Sequence, residues 1–146
     1  MTTPTKPDAL EMLRARVRRS PLLQELAIEV LEAANGRVVL SVDPPANSVN
    51  GRGFIHGGFL FSICDTACAF ACLSQTDGGV TQSAHITYVS PGKVGERLTV
   101  IAHEAARTRR SQTFDAKINS ASGETIAIFR GIFQLLPNKP PEAATR

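Results

Sequence analysis

An α+β domain, in which an antiparallel sheet wraps one long buried helix, is the fold the sequence predicts. Two observations predict it. Residues 53–76 read GFIHGGFLFSICDTACAFACLSQT, where Asp65 is the one formally charged residue and Ile63, Cys64, Ala67, Cys68, Ala69, Phe70, Ala71 and Cys72 are small or apolar. A helix apolar around its circumference has no face to give to water, so this one is expected to be packed on all sides. After Asp77-Gly78-Gly79 the pattern changes to strand-like runs over 80–89, 98–105, 112–119 and 124–135, with turn residues between them. An antiparallel sheet covers a helix with one face and leaves the other for water or a partner.

Each element has its own local reason. Over residues 8–19, Leu10, Leu13 and Val17 share one face opposite arginines, the pattern of a short amphipathic helix. Ser20-Pro21 then reads as an N-cap followed by proline at a first helical position. Residues 22–34 are ambiguous: their periodicity allows a helix, yet 27–31 and 37–42 around Asn35-Gly36 also read as a hairpin. Pro44, Pro45 and residues 47–53 form a loop, and the long helix starts near His56-Gly57-Gly58 and fades by Gln75. Phe114, Ala116 and Ile118 alternate on one side of their strand. The last strand is apolar on both faces in places (Ile126, Ile128 and Ile132 against Ala127, Phe129 and Phe133), which predicts burial against another chain as well as the core. The expected organisation is an N-terminal helical extension (1–21), one domain (22–136) and a disordered polar tail (137–146).

Bulk properties exclude several classes of function. A chain of 146 residues fits one domain, and 42% hydrophobic with 20% charged residues is ordinary for a globular protein. A net charge of +3, split between residues 14–19 and 107–110, argues against nucleic acid as a partner. The longest apolar run, 59–73, is interrupted by Asp65 and too short to span a bilayer, so no membrane partner is expected. Asp8 and Glu11 replace the apolar stretch a secretory signal needs. Cys64, Cys68 and Cys72 fall on one helical stripe, which suits neither a metal site nor a disulfide and reads as buried thiols in a reducing cytoplasm.

Asp65 carries the functional argument. A carboxylate loses hydration in such surroundings, and burying it unpaired is expensive. No Lys or Arg lies within a helical turn or two of it, so it reads as present for chemistry. Asn50 and His56-Gly57-Gly58 mark the start of the same helix, where unsatisfied N–H groups and the positive end of the macrodipole favour a polarised carbonyl oxygen. Two glycines let a ligand approach that backbone closely. His56 and Asp65 are nine residues apart, which turns them to opposite sides of one helix, about 13 Å apart along its axis. They serve one site only if a second subunit supplies one of them. A catalytic reading therefore predicts an obligate homo-oligomer with two interface sites per dimer.

Asn50, His56-Gly57-Gly58, Phe61-Ser62, Asp65-Thr66, Ala69 and Ala71, and Ile86-Thr87-Tyr88-Val89-Ser90-Pro91-Gly92 together resemble the phenylacetate-degradation (PaaI-like) branch of hotdog-fold acyl-CoA thioesterases. The resemblance covers about residues 22–136 and includes Arg109-Arg110-Ser111 and Gly123-Glu124-Thr125. It implies a strand before Asn35-Gly36, and hence the hairpin. It also implies that the Gly57 N–H polarises the thioester carbonyl, with Gly58, His56 and Asn50 on that side of the site. Asp65 of the facing subunit acts as general base or nucleophile, and Thr81 helps to place the attacking water. Arg107, Arg109 and Arg110 meet the phosphates of coenzyme A, although such a cluster also reads as a solvated turn. The implied reaction hydrolyses an aryl- or medium-chain acyl-CoA without metal or organic cofactor, in a dimer of dimers. Two rivals are an acyl-CoA hydratase or dehydratase, whose differently spaced hydration motif is not found here, and a non-catalytic acyl-CoA-binding module.

Overall fold

The structure, a computed structural model, describes residues 8–137. In chain order it contains α1 (Ala9–Arg19), α2 (Pro21–Glu25), β1 (Ile28–Ala34), β2 (Arg37–Val42), a 3₁₀ turn (Ala46–Ser48), α3 (Gly57–Leu73), β3 (Gly79–Tyr88), β4 (Leu98–Arg107), β5 (Ser111–Asn119) and β6 (Thr125–Leu135). The six strands form one antiparallel sheet in the order β1-β2-β4-β5-β6-β3. The chain leaves β2 at one side, runs through α3, and enters β3 at the far edge. Among the described residues no helix is long and apolar enough to cross a membrane.

Residues 22–34 divide between both readings of their pattern. Ser20 and Pro21 start α2, whose five residues stop before Ala27, at a φ of 55°, and β1 begins at Ile28. The boundary expected after residue 21 thus runs through α2. Leu13 of α1 is fully buried in the same core as the sheet, and Arg14 Nε donates to the Val30 carbonyl (3.0 Å). The tail expected over 137–146 lies outside the described residues from 138 onward.

The hairpin turns on Asn35 (φ 52°) and Gly36 (φ 73°), the two positive angles a two-residue type I′ turn requires. It is hooked to the far end of α3, where the Gly36 N–H donates to Ser74 Oγ (3.0 Å). A Cβ at Gly36 would stand 2.6 Å from Gln75 Oε1.

Alternation decides what meets α3. The rows Val38–Ala102–Ala116–Phe129 and Leu40–Val100–Ile118–Ala127 run in register across β2, β4, β5 and β6 and are buried. They pack in one core with Leu60, Ile63, Cys64, Ala67, Cys68 and Ala71 of the helix. The outer face carries the row Arg37–His103–Asp115–Arg130–His85, with Arg130 bidentate on Asp115 (2.6 and 2.8 Å).

The expectation that α3 is packed on all sides needs correction. Gly58 is exposed, and Phe61, Ser62, Asp65, Thr66, Ala69 and Leu73 are only part-buried. These positions follow helical spacing, so they form one stripe turned away from the sheet. A single sheet reaches only one side of a helix. The neighbouring edge strand β3 is also uncovered, with Val80 58% and Tyr88 50% exposed.

The three cysteines are buried and form no disulfide. Burial pushes the Cys64 thiol up to about 12, with the Asp65 charge adding to it, and raises Cys68 further. An unfolded thiol ionises near 9 while these stay protonated, so their contribution is full below pH 9 and is lost as pH rises from 9 towards about 12. Urea midpoints measured at pH 8 and pH 10 should fall with pH, and replacing Cys64 and Cys68 by Ala should flatten that slope. Gly36→Ala, strained in φ and crowded by Gln75, is expected to lower unfolding free energy by about 1–3 kcal/mol, measured by chemical denaturation.

Candidate active site at the start of the long helix

Several ties fix the chain before it enters α3. Asn50 Oδ1 accepts from the N–H groups of Arg52 (2.9 Å) and Phe54 (3.1 Å), and its own N–H donates to the Phe54 carbonyl (2.7 Å). This is the side-chain-to-backbone pattern that asparagine offers a tight loop. The Ile55 N–H then donates to the Gly92 carbonyl (2.9 Å), and the His56 N–H to the Ser48 carbonyl (2.7 Å). Asn50 therefore spends its side-chain carbonyl on its own loop, and its amide N–H donors have no acceptor among the described residues.

His56 is the N-cap of α3. Its Nδ1 accepts from the Gly58 N–H (2.8 Å), and its carbonyl accepts from Phe59 (3.0 Å) and Leu60 (3.2 Å). With Nδ1 accepting, the hydrogen-bond network assigns the ring proton to Nε2, which makes His56 a donor at its free nitrogen. Of the first four N–H groups in the helix, three are thereby satisfied. The Gly57 N–H donates to no described residue. Gly57 lines a cavity of about 330 Å³ with Asn50, Phe54, Leu60, Tyr88 and Pro91. An orphan donor at the positive end of a helix, beside a mostly apolar cavity, is suited to an oxygen that gains negative charge.

Asp65 lies two turns further on. Thr81 Oγ1, on β3, donates to its Oδ1 (2.8 Å), and among the described residues no cation pairs with it. Its partner is thus a neutral hydroxyl, and in the single chain the carboxylate is part-buried rather than enclosed. Eight residues of helix put it about 12 Å from Gly57 along the axis, too far for both to reach one carbonyl group.

The arginines are not brought to Gly57 of their own chain. Arg107 is held bidentate by Glu104 (2.6 Å twice) and donates to Gln75 Oε1 (3.1 Å), just beyond the C-terminal end of α3. The Glu104 bond raises the Arg107 guanidinium further above its ordinary range. Arg109 and Arg110 sit exposed on the β4–β5 turn, and Arg109 lines a cavity of about 470 Å³ with Gln75, Thr76, Asp77 and Leu136. The 17 residues of α3 separate this end from Gly57 by about 25 Å.

Tyr88 has no functional signature within its strand pattern, yet its hydroxyl donates to the Gly57 carbonyl (2.9 Å). Burial of the ring raises its phenol, so it is a protonated donor at neutral pH. A strand-ending tyrosine carries no sequence signal for a contact 31 positions away. A groove of about 380 Å³, lined by His85, His103, Asp115, Lys117 and Arg130, lies on the opposite face of the sheet from α3. Among the described residues no group of three or more His, Cys, Asp or Glu side chains is placed to hold a metal ion.

Sequence comparison assigns this helix and its antiparallel sheet to a thioesterase family. The Thioesterase superfamily pattern matches residues 52–127, and the chain belongs to that family. It is 34% identical over 106 residues to the acyl-coenzyme A thioesterase PaaI of Escherichia coli K12, covering 73% of this chain and 76% of that protein. The structure of the E. coli PaaI protein superposes with a TM-score of 0.83 at 29% identity, over 88% of this chain and 94% of that one, which establishes the hotdog fold. Acyl-coenzyme A thioesterase 13 of Homo sapiens is 32% identical over 104 residues, 68% of this chain and 74% of that protein. A hypothetical thioesterase protein of Streptococcus pneumoniae TIGR4, solved with coenzyme A, matches at TM-score 0.74 and 25% identity, over 77% of this chain and 88% of that one. Structures of that protein also exist with an aspartate, and with a threonine sixteen positions later, replaced by alanine.

Proposed function

We propose that this chain hydrolyses acyl-CoA thioesters to a free acid and coenzyme A, at sites shared between two copies of itself. The observation that carries this reading is the unpartnered Gly57 N–H beside an apolar cavity, together with Asp65 on the uncovered stripe of the same helix. The names of PaaI and thioesterase 13 support the acyl-CoA substrate, as does the coenzyme A complex of the S. pneumoniae protein. The spacing of the two residues altered there, sixteen, equals that of Asp65 and Thr81.

In this reading the thioester carbonyl oxygen accepts from the Gly57 N–H, with the Asn50 amide and His56 Nε2–H as further donors on that side. Asp65 of the facing subunit, one oxygen held by Thr81, takes a proton from water as the water attacks the acyl carbon. The tetrahedral oxyanion collapses, the carbon–sulfur bond breaks, and the departing thiolate receives that proton. In the nucleophilic variant Asp65 itself attacks, the thiolate leaves, and water opens the resulting anhydride. Carboxylate and amide donors supply both the proton transfer and the charge stabilisation, so no cofactor enters the scheme. Phe54, Leu60 and Tyr88 suit an aryl or medium aliphatic acyl group. Arg109 and Arg110 of the β4–β5 turn meet the phosphates; Arg107, already engaged by Glu104, contributes less.

The second copy covers the α3 stripe and the β3 edge, whose unpaired backbone groups invite another strand. On the outer sheet face, Ile128 is 47% exposed beside the charged row, and this face joins two such dimers.

Asp65→Asn and Asp65→Ala should each lower turnover by about 10²–10⁴-fold in a thiol-release assay with the circular dichroism spectrum unchanged; full activity in both would end the assignment. Mixing and refolding Asp65→Asn with His56→Ala chains should restore activity, because random pairing leaves about one site in four intact; no recovery would place both residues in one subunit's site. Single turnover in ¹⁸O-water separates the two routes, since only the anhydride leaves label in the protein.

A further inference from the structure

We infer that Tyr88 is a positioning residue for the Gly57 donor, an inference that rests on the oxyanion role proposed above. The start of α3 is locally weak. It opens on two consecutive glycines, each disfavouring helix by about 1 kcal/mol relative to alanine. The Gly57 N–H belongs to the His56–Gly57 peptide, whose carbonyl accepts from Phe59 and Leu60; the following Gly57–Gly58 peptide is the one a group outside the helix can hold, and through the Gly57 Cα it steadies the donor.

Tyr88 is built to do this. It is the last residue of β3, paired with Ala127, and the next two N–H groups, of Val89 and Ser90, donate to the Ile126 carbonyl (2.8 and 3.1 Å). Its backbone is therefore anchored to the sheet on both sides. From that anchor the hydroxyl donates to the Gly57 carbonyl at 2.9 Å. The ring presses on the same residue: a Cβ at Gly57 would lie 3.0 Å from both Cζ and the hydroxyl oxygen. Glycine at 57 and tyrosine at 88 are thus one fitted pair, with the ring closing one wall of the cavity. His56 fixes the neighbouring Gly58 N–H from the other side. Between them the two side chains hold both ends of the Gly57–Gly58 peptide, its carbonyl and its N–H, and so clamp the residue that carries the free donor.

Tyr88→Phe keeps the ring and removes the bond. Expected are a fall in kcat of about tenfold, a KM within about twofold of the parent, an unchanged melting temperature, and faster amide exchange by NMR at Gly58, the N–H of the peptide Tyr88 holds, but not at Ile63. An unchanged kcat with unchanged exchange at Gly58 would overturn the inference. So would a loss of kcat accompanied by a lower melting temperature and faster exchange along all of α3, which marks a structural role only. If the parent protein cleaves no acyl-CoA while the Gly58 amide alone loosens in the variant, the holding of this turn stands and the proposed reaction falls.

Discussion

A sheet can enclose only one side of a helix, and α3 carries apolar residues on its uncovered side as well. That mismatch governs the rest of the molecule. The buried rows of β2, β4, β5 and β6 take up Ile63, Cys64, Ala67, Cys68 and Ala71, leaving Phe61, Ser62, Asp65, Thr66 and Ala69 on the far side. Phe61 and Ala69 on that side, beside the unpaired edge of β3, are the ground on which a second copy is proposed. Asp65 sits in the middle of it. Covering the stripe would bring its carboxylate into surroundings drier than the single chain provides, with one oxygen already held by Thr81.

The start of α3 follows the opposite logic. There, nearly every polar group is committed: Asn50 to its loop, Ile55 to Gly92, His56 to Ser48 and Gly58, and Tyr88 to Gly57. Against that background the free Gly57 backbone N–H is informative, because buried or half-buried backbone donors almost always find partners. The fold satisfies three of the four first-turn donors and leaves the fourth facing a cavity. Such an arrangement is rigid before any ligand arrives, which is the condition under which a donor stabilises developing charge most.

Much of this was legible in the chain itself. The uncharged stretch around Asp65 located the helix, and alternation over Phe114, Ala116 and Ile118 located a core-facing strand whose three residues are indeed buried. Residues 22–34 were harder, because a five-residue helix and a strand share them and local periodicity averages over both. The burial of Asp65 was overstated for a physical reason: composition says that a surface is apolar, not whether the same chain covers it. Tyr88 escaped notice because its contact depends on where β3 ends relative to α3, which no window of sequence contains. The three arginines, adjacent in sequence, proved unequal once Glu104 and Gln75 were seen beside Arg107.

By itself, then, the sequence determined which segment is buried, which residue types stand at its start, and that one carboxylate must be accommodated within it, since these follow from composition and short-range spacing. Only the tertiary structure decided which donor is left over, which hydroxyl meets Asp65, and which side of the helix the sheet leaves uncovered. Those depend on strand order and register, set by contacts between residues far apart along the backbone.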